Sequence, residues 1–112
     1  MVRPRAPDLT FAHRSSAATV TRAGGGGGFD RIRVNCVHPG SVDSPWISRL
    51  LDAARNPDDE LAALRARQPI GRLVTTAEVA HAIVYLADPA AGSVTGTEVA
   101  VDGGMAGLRC AR

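Results

Sequence analysis

Two short apolar runs restrict the fold of this chain more than any other feature of its sequence. The first lies at residues 32–37 and stops at Pro39-Gly40, and the second lies at residues 99–101 and stops at Asp102. Apolar, β-rich runs that end at turn residues such as Gly and Pro are typical of buried strands. We therefore predict one strand near residue 34 and a second near residue 100.

The residues between the two runs have helical periodicity. Apolar side chains recur at helical spacing over residues 46–54, and a second short helix follows Asn56-Pro57. Thr75 is followed three residues later by Glu78, a capping-box signature for the start of a helix. The predicted helix ends at Asp88-Pro89, and its apolar face contains Val79, Ala82, Ile83 and Leu86.

The order strand, helix pair, helix, strand predicts an α/β fold, and an incomplete one. Two strands with helices on one side cannot bury both of their faces, whereas parallel sheets have several strands and cover on both sides. We therefore predict the last two strands, with their helices, of a doubly wound parallel sheet of the Rossmann type. A small independent α+β domain is the alternative.

The first thirty residues differ in character from the rest. They hold two prolines, no sustained periodicity, and five consecutive glycines from Gly24 to Gly28. Such a glycine run loses much backbone entropy on ordering and is typical of a flexible linker. We predict an irregular leader over residues 1–30 that matches no family, followed by the folded portion over residues 31–112.

Composition excludes several classes of function. The net charge of +2 is too small to argue for a nucleic-acid or membrane partner, and neither is predicted; no stretch reaches the roughly 20 apolar residues of a membrane span. The two cysteines form no disulfide framework, which fits a cytoplasmic protein. The three histidines, His13, His38 and His81, are scattered without ligand spacing, so no metal site is predicted.

Four motifs occur in one order along the chain. They begin with Arg33-Val34-Asn35 leading to Pro39-Gly40 and Ser44, and they continue with Gly71-Arg72-Leu73 before the capping box. Ser93 to Gly96 and Val101 to Gly104 complete the set. In this order and spacing they resemble the C-terminal part of the short-chain dehydrogenase/reductase (SDR) family.

The resemblance implies an NAD(P)-dependent oxidoreductase that moves a hydride to or from a small secondary alcohol or ketone. In the family, the segment matching Pro39-Gly40 lies against the nicotinamide, with the backbone at Val42 and the hydroxyl of Ser44 at its carboxamide. Trp46 would then lie on the substrate side. Read as structure alone, Pro39-Gly40 is a turn, Ser44 a helix cap and Trp46 a hydrophobic staple of its own helix.

The family's catalytic pair is absent from these 112 residues. That pair is a tyrosine followed four residues later by a lysine, whose charge lowers the pKa of the phenol. All thirteen basic residues are arginine, and the one tyrosine, Tyr85, follows the Pro-Gly motif. The glycine-rich pyrophosphate turn is also absent, because the run from Gly24 to Gly28 has no strand before it and no helix after it. We therefore predict no catalytic residue here, and the sequence favours no independent cofactor binding.

Two hypotheses for function follow. The first is a truncated oxidoreductase, inactive alone, produced biologically or by a misplaced start or frameshift in the gene prediction. The second is a non-catalytic interaction protein that pairs with full-length relatives. In the family, the elements matching residues 76–87 and the strand near residue 99 form subunit contacts, which implies a homo-oligomer. The motif also resembles a branch that includes 3-hydroxybutyrate and keto-sugar-acid dehydrogenases, which implies an acidic substrate. Arg65, Arg67 and Arg72 are candidates to bind its carboxylate, and the alternative is that they are solvated helix charges.

Overall fold

The computed structural model describes the backbone of residues 17–23 and 31–109 and the side chains of residues 33–109. Its strands are β1 (Ala17–Ala23), β2 (Arg31–Pro39), β3 (Val42–Asp43), β4 (Val74–Thr75) and β5 (Glu98–Val101). Its helices are α1 (Pro45–Asp52), α2 (Pro57–Ala66) and α3 (Thr76–Ala87), and a short 3₁₀ turn spans Pro89–Ala91. The predicted strands near residues 34 and 100 are therefore confirmed as β2 and β5.

The main sheet has the order β1-β2-β5. Strands β2 and β5 are parallel, with Cys36 opposite Glu98 at one end and Pro39 opposite Val101 at the other. The carboxyl ends of the two parallel strands therefore coincide. This arrangement confirms the predicted α/β class and the parallel pairing of the two strands.

Strand β1 corrects the prediction of an irregular leader. Residues Ala17–Ala23 pair antiparallel with β2, from Ala17 opposite Val37 to Ala23 opposite Arg31. The run Thr19-Val20-Thr21 is rich in β-branched residues, which favour extended backbone. The neighbouring glycine run led to the prediction of irregular structure, although this short β-branched run favours a strand. The linker predicted at Gly24–Gly28 lies outside the described residues, but the prediction that no strand precedes this glycine run is wrong, since β1 ends at Ala23.

A second, two-stranded sheet was not predicted. Strand β3 runs parallel to β4, with Val42 opposite Val74 and Asp43 opposite Thr75. Each of these strands has only two residues, which is too short for a period-two pattern to be recognised in sequence. The pairing nevertheless ties the segment after β2 to the segment before α3.

The three helices begin with different capping arrangements. Helix α2 begins after Asn56, whose side-chain oxygen accepts a hydrogen bond from the Asp59 N–H. Helix α3 has a complete capping box between Thr75 and Glu78, as the sequence predicts. Helix α1 begins after Ser44, whose side chain makes no capping hydrogen bond.

The core lies between α3 and one face of the main sheet. Along β2 the side chains of Arg33, Asn35 and Val37 are buried, while Val34 between them is half exposed. Leu86 of α3 is fully buried, and α3 contacts both β2 and β5. The predicted apolar face of α3 is therefore confirmed as a packing face. None of the helices in the described part of the chain is long and apolar enough to cross a membrane.

Candidate cofactor-facing site

The turn after β2 lies at the carboxyl end of the parallel strand pair. Pro39 is opposite Val101, and the Gly40 N–H donates to the Val101 carbonyl at 3.0 Å. In doubly wound sheets, ligands bind in the crevice beyond the carboxyl ends of the strands. The segment from Gly40 to the start of α1 therefore emerges at the edge where such a fold binds its ligand.

Gly40 is packed on its Cα side by the protein itself. A Cβ placed there would lie 2.3 Å from Gln68 Oε1 and 2.8 Å from the Cα of Asp102. Only glycine fits without displacing one of these groups. The sequence prediction attributed Gly40 to the close approach of a flat ring, whereas the structure shows that internal packing alone requires it.

Gln68 fixes the backbone just after Gly40. The side chain is 1% exposed, and its Oε1 accepts a hydrogen bond from the Ser41 N–H at 3.0 Å. Its Nε2 donates to the Arg72 carbonyl at 2.6 Å and to the Ser41 carbonyl at 3.4 Å. The Ser41 carbonyl also accepts from the Val74 N–H at 2.9 Å. The turn is therefore held from two directions.

The end of β5 forms a second turn beside the first. Asp102 is buried, and its carboxylate accepts hydrogen bonds from the N–H groups of Gly104 at 2.9 Å and Ala106 at 3.0 Å. The Gly103 carbonyl accepts from the Ile70 N–H at 3.2 Å, and Gly103 has a φ of 61°. The Asp-Gly-Gly motif is therefore a structural turn that also binds the loop after α2.

The Arg-Val-Asn motif fastens β2 to the loop before β5. The Arg33 guanidinium donates to the Val94 carbonyl at 2.8 Å, and the Asn35 Nδ2 donates to the same oxygen at 2.9 Å. The Asn35 Oδ1 accepts from the Thr97 N–H at 3.1 Å. These buried side chains therefore hold β2 against the loop before β5.

Comparison with known proteins identifies the family. Residues 14–106 match the family model described as enoyl-(acyl carrier protein) reductase. The chain belongs to the short-chain dehydrogenase/reductase family. The SDR match begins inside residues 1–30, so the prediction that this stretch matches no family is wrong from residue 14 onward.

Two SDR relatives show how much of the family's length is present. The chain is 48% identical over 73 residues to Dehydrogenase/reductase SDR family member 6 of Danio rerio, covering 65% of this chain and 30% of the relative. It is 46% identical over 93 residues to cis-4-hydroxycyclohexanecarboxylate dehydrogenase of Sinomonas cyclohexanicum, covering 83% and 33%. The chain therefore spans about a third of the length of these relatives.

A solved SDR structure confirms the Rossmann-type fold. A variant of actinorhodin polyketide ketoreductase, solved with NADPH, superposes with a TM-score of 0.60 and 32% identity. The superposition covers 68% of this chain and 31% of that one. Homologues of the SDR family generally use NAD or NADP.

The predicted nicotinamide-facing residues lie along one continuous segment. Pro39 ends β2 and Gly40 follows it, Val42 lies in β3, and Ser44 is the half-buried residue before α1. Ser44 occupies the N-cap position of α1, as the structural alternative predicts, although its side chain makes no capping hydrogen bond. Contact of these residues with a cofactor stays a prediction.

Trp46 follows in the first turn of α1. Its side chain is 41% exposed, so a large part of the indole ring remains on the surface. The predicted staple would bury this ring against its own helix, and this degree of exposure does not favour that reading. Contact with a substrate stays a prediction.

Arg72 is already engaged within the protein. Its guanidinium donates to both carboxylate oxygens of Glu78, at 2.8 and 3.1 Å. The hydrogen bonds from Arg72, followed by the bond from the Thr75 N–H, lower the pKa of Glu78 to about 2. Of the three arginines considered for an acidic substrate, Arg65 and Arg67 are exposed, whereas Arg72 serves the capping box.

Four buried polar residues were not predicted as a group: Arg33, Asn35, Gln68 and Asp102. Two of them leave a signal in the sequence, because polar residues at alternate positions of an apolar strand require partners when they are buried. Gln68 leaves no such signal, since it follows a helix and has no periodic neighbours. Among residues 17–23 and 31–109 the structure shows no group of three or more potential metal ligands.

Proposed function

We propose that this chain forms the nicotinamide-side wall of an NAD(P)-dependent oxidoreductase site acting on a small secondary alcohol or ketone. The observation that carries the proposal is the segment after β2. It leaves the sheet at the carboxyl ends of two parallel strands and presents a Ser44 hydroxyl that makes no capping bond. A fixed backbone with an available hydroxyl suits an amide group, which needs both a donor and an acceptor.

When bound, the nicotinamide ring supplies the position that accepts or gives up the hydride. The chain's own residues hold and orient that ring. The backbone at Val42 and the hydroxyl of Ser44 bond its carboxamide, and Pro39-Gly40 provides a rigid surface beside it. Preorganised groups of this kind lower the entropy cost of reaching the reactive geometry.

These 112 residues do not carry out hydride transfer by themselves under this proposal. The reaction needs a proton donor and acceptor near neutral pH, and a phenol next to a lysine provides one. Tyr85 is the one tyrosine, it is 55% exposed in α3, and the chain contains no lysine that could pair with it. The proposal therefore assigns binding and orientation to this chain and no proton transfer.

A small secondary alcohol that bears a carboxylate is the proposed substrate class. The similar protein from Sinomonas cyclohexanicum is named for a hydroxyl compound with a carboxylate group. In this chain, Arg65 and Arg67 are exposed near the end of α2, in the segment between Trp46 and β4. An exposed guanidinium there would bond a carboxylate in a forked geometry.

Pairing with full-length SDR relatives is the second candidate function. Val84 and Tyr85 are adjacent in α3 and are 65% and 55% exposed, which places two large apolar side chains together on the surface. Exposed apolar patches of this kind often mark protein interfaces. Size-exclusion chromatography of the chain mixed with a full-length relative tests this function, and separate elution of the two proteins contradicts it.

Saturation-transfer NMR with NADH and NADPH tests the nicotinamide proposal. Because the chain lacks a pyrophosphate-binding turn, we expect a dissociation constant near the millimolar range, which corresponds to about 4 kcal/mol of binding free energy. Saturation transfer detects binding in this range. The nicotinamide protons should receive more saturation than the adenine protons. Ser44→Ala should weaken the nicotinamide signal, since one hydrogen bond contributes about 0.5–1.5 kcal/mol.

Ser93→Ala is the matched control, because Ser93 is an exposed serine in the loop before β5. We expect this variant to keep the nicotinamide signal of the unmodified chain. Equal signals in the Ser44 variant and the unmodified chain, or saturation of the adenine protons alone, contradict the proposed site. Failure of the unmodified chain to bind either dinucleotide contradicts it as well.

A further inference from the structure

Gln68 links three segments through its side chain and its backbone. It accepts from the Ser41 N–H, donates to the Ser41 carbonyl and donates to the Arg72 carbonyl. Its own N–H donates to the Arg65 carbonyl at 3.2 Å, which ties it to the last turn of α2. The side-chain amide therefore joins the turn after β2 to the loop before β4, and the backbone of the same residue is tied to the end of α2.

The chain makes room for this amide at Gly40. A Cβ at Gly40 would lie 2.3 Å from the Gln68 Oε1 atom, so the side chain occupies the space that any other residue type would fill. Val42 and Ser44 follow Gly40 within four residues along the same segment. A shift of the Gly40–Ser41 backbone would therefore also move the Val42 backbone and the Ser44 hydroxyl, the two groups proposed to bond the carboxamide.

We propose that Gln68 is a positioning residue that sets the backbone of the Gly40–Ser41 turn for the nicotinamide and couples this turn to the segment on the substrate side. The cofactor part of this inference rests on the proposed function. Gln68 touches neither substrate nor cofactor in this proposal. It acts through its hydrogen bonds to the peptide groups of Ser41. Its hydrogen bond to the Arg72 carbonyl fixes the loop before β4 relative to the same turn.

The chemistry of the side chain explains why an amide stands at this position. Ser41 presents both an N–H and a carbonyl, so its partner must donate and accept at once, which a glutamine does. A carboxylate of the same length keeps the acceptor and loses both donated bonds. A leucine of similar size keeps the packing and leaves the Ser41 N–H buried without its side-chain acceptor.

Amide hydrogen exchange of the unliganded full chain is the first arm of the test. In Gln68→Leu, we expect the Ser41 amide to exchange about tenfold faster or more, because it loses a hydrogen bond to a buried partner. Gln68→Glu should leave this amide close to the unmodified rate, since the acceptor is kept. If Gln68→Leu does not fold, Gln68→Glu replaces it in the test. Faster amide exchange is then expected around Arg72, whose carbonyl loses its hydrogen-bond donor.

Asn35→Leu is the matched control for this arm. Asn35 is also a buried amide, at 2% exposed, and it bonds the backbone of the Val94–Thr97 loop instead of the turn after β2. We expect this variant to speed exchange at Thr97 and to leave Ser41 unchanged. If Ser41 exchanges equally fast in both leucine variants, Gln68 contributes only to general stability and the proposal is overturned.

Saturation transfer from the protein to NADH is the second arm. We expect the nicotinamide signal to be lost in Gln68→Leu and kept in Asn35→Leu. A retained nicotinamide signal together with faster Ser41 exchange reduces Gln68 to a structural role and overturns the proposal. If the unmodified chain binds no dinucleotide, the proposed function fails while the exchange arm still decides whether Gln68 fixes the turn.

Discussion

Replacement of Gly40 by alanine gives the sharpest test of the packing at the end of β2. The added Cβ would lie 2.3 Å from the Gln68 Oε1 atom and 2.8 Å from the Asp102 Cα, where ordinary contacts begin at 3.4 Å. Relief requires either the glutamine or the end of β5 to move by roughly 1 Å, and such overpacking typically costs about 1–3 kcal/mol. Movement of the glutamine also weakens its bond to the Ser41 N–H.

The lost hydrogen bond adds about 1–3 kcal/mol when a buried donor is left without its acceptor. We therefore expect Gly40→Ala to lower the free energy of unfolding by about 2–6 kcal/mol. This is a large fraction of the total for a chain of this size, which is about 0.05–0.15 kcal/mol per residue. Urea unfolding, followed by far-ultraviolet circular dichroism and by the fluorescence of Trp46, measures the change.

Gly107→Ala is the matched control, because a Cβ at Gly107 meets nothing within 4 Å and its φ is not positive. We expect its effect to be within about 0.5 kcal/mol of zero, as for surface substitutions in general. If Gly40→Ala is as mild as Gly107→Ala, then Gln68 and Asp102 do not pack against the turn as described, and the reasoning is refuted.

Two further predictions concern α3. The pKa of Glu78 is lowered to about 2 in the folded chain, so the free energy of unfolding should fall as the pH drops from about 5 toward 2. Glu78→Gln should remove part of this fall, which urea titrations at several pH values measure. An identical pH dependence in both proteins would contradict the ion pair with Arg72. Leu86→Ala should lower the free energy of unfolding by about 2–5 kcal/mol because Leu86 is fully buried. Tyr85→Ala, at a half-exposed neighbour, should lower it far less, and equal decreases in urea unfolding would count against the described core.

The regular elements could be predicted because their signals are local. Strand β2 has a β-rich pattern that stops at Pro39-Gly40, and the start of α3 is indicated by Thr75 and Glu78. Each of these patterns depends on residues a few positions apart, so the sequence displays it directly. The family resemblance rests on the same short motifs, and the comparisons confirm it.

The roles of buried polar residues could not be predicted, because their partners are distant along the chain. Asn35 bonds residues 59 and 62 positions away, and Gln68 bonds Ser41 at a separation of 27. No pattern within a helix or a strand indicates such partners. For the same reason, the sequence assigned Gly40 to a cofactor, whereas its neighbours Gln68 and Asp102 already require a glycine there.

The antiparallel strand β1 also corrects the sequence reading for a physical reason. Its β-branched centre predicts extended backbone, but a strand is stable only where a neighbour can pair with it. Strand β2 provides that edge over seven consecutive residue pairs, from Ala17 with Val37 to Ala23 with Arg31. The adjacent glycines dominated the composition of this region and concealed the shorter run.

The parallel pairing of β2 with β5 has a consequence for the order in which the chain folds. The hydrogen bonds that tie β2 to the segment just before β5 join residues 55 to 62 positions apart, so they form only after a long loop has closed. On a ribosome that adds about 5–20 residues per second, β2 waits about 3–12 seconds for this partner. During that interval the unpaired edge of β2 is open to association with other nascent chains. Strand β1 is synthesised first and pairs with the other edge of β2, which leaves only one edge exposed until β5 emerges.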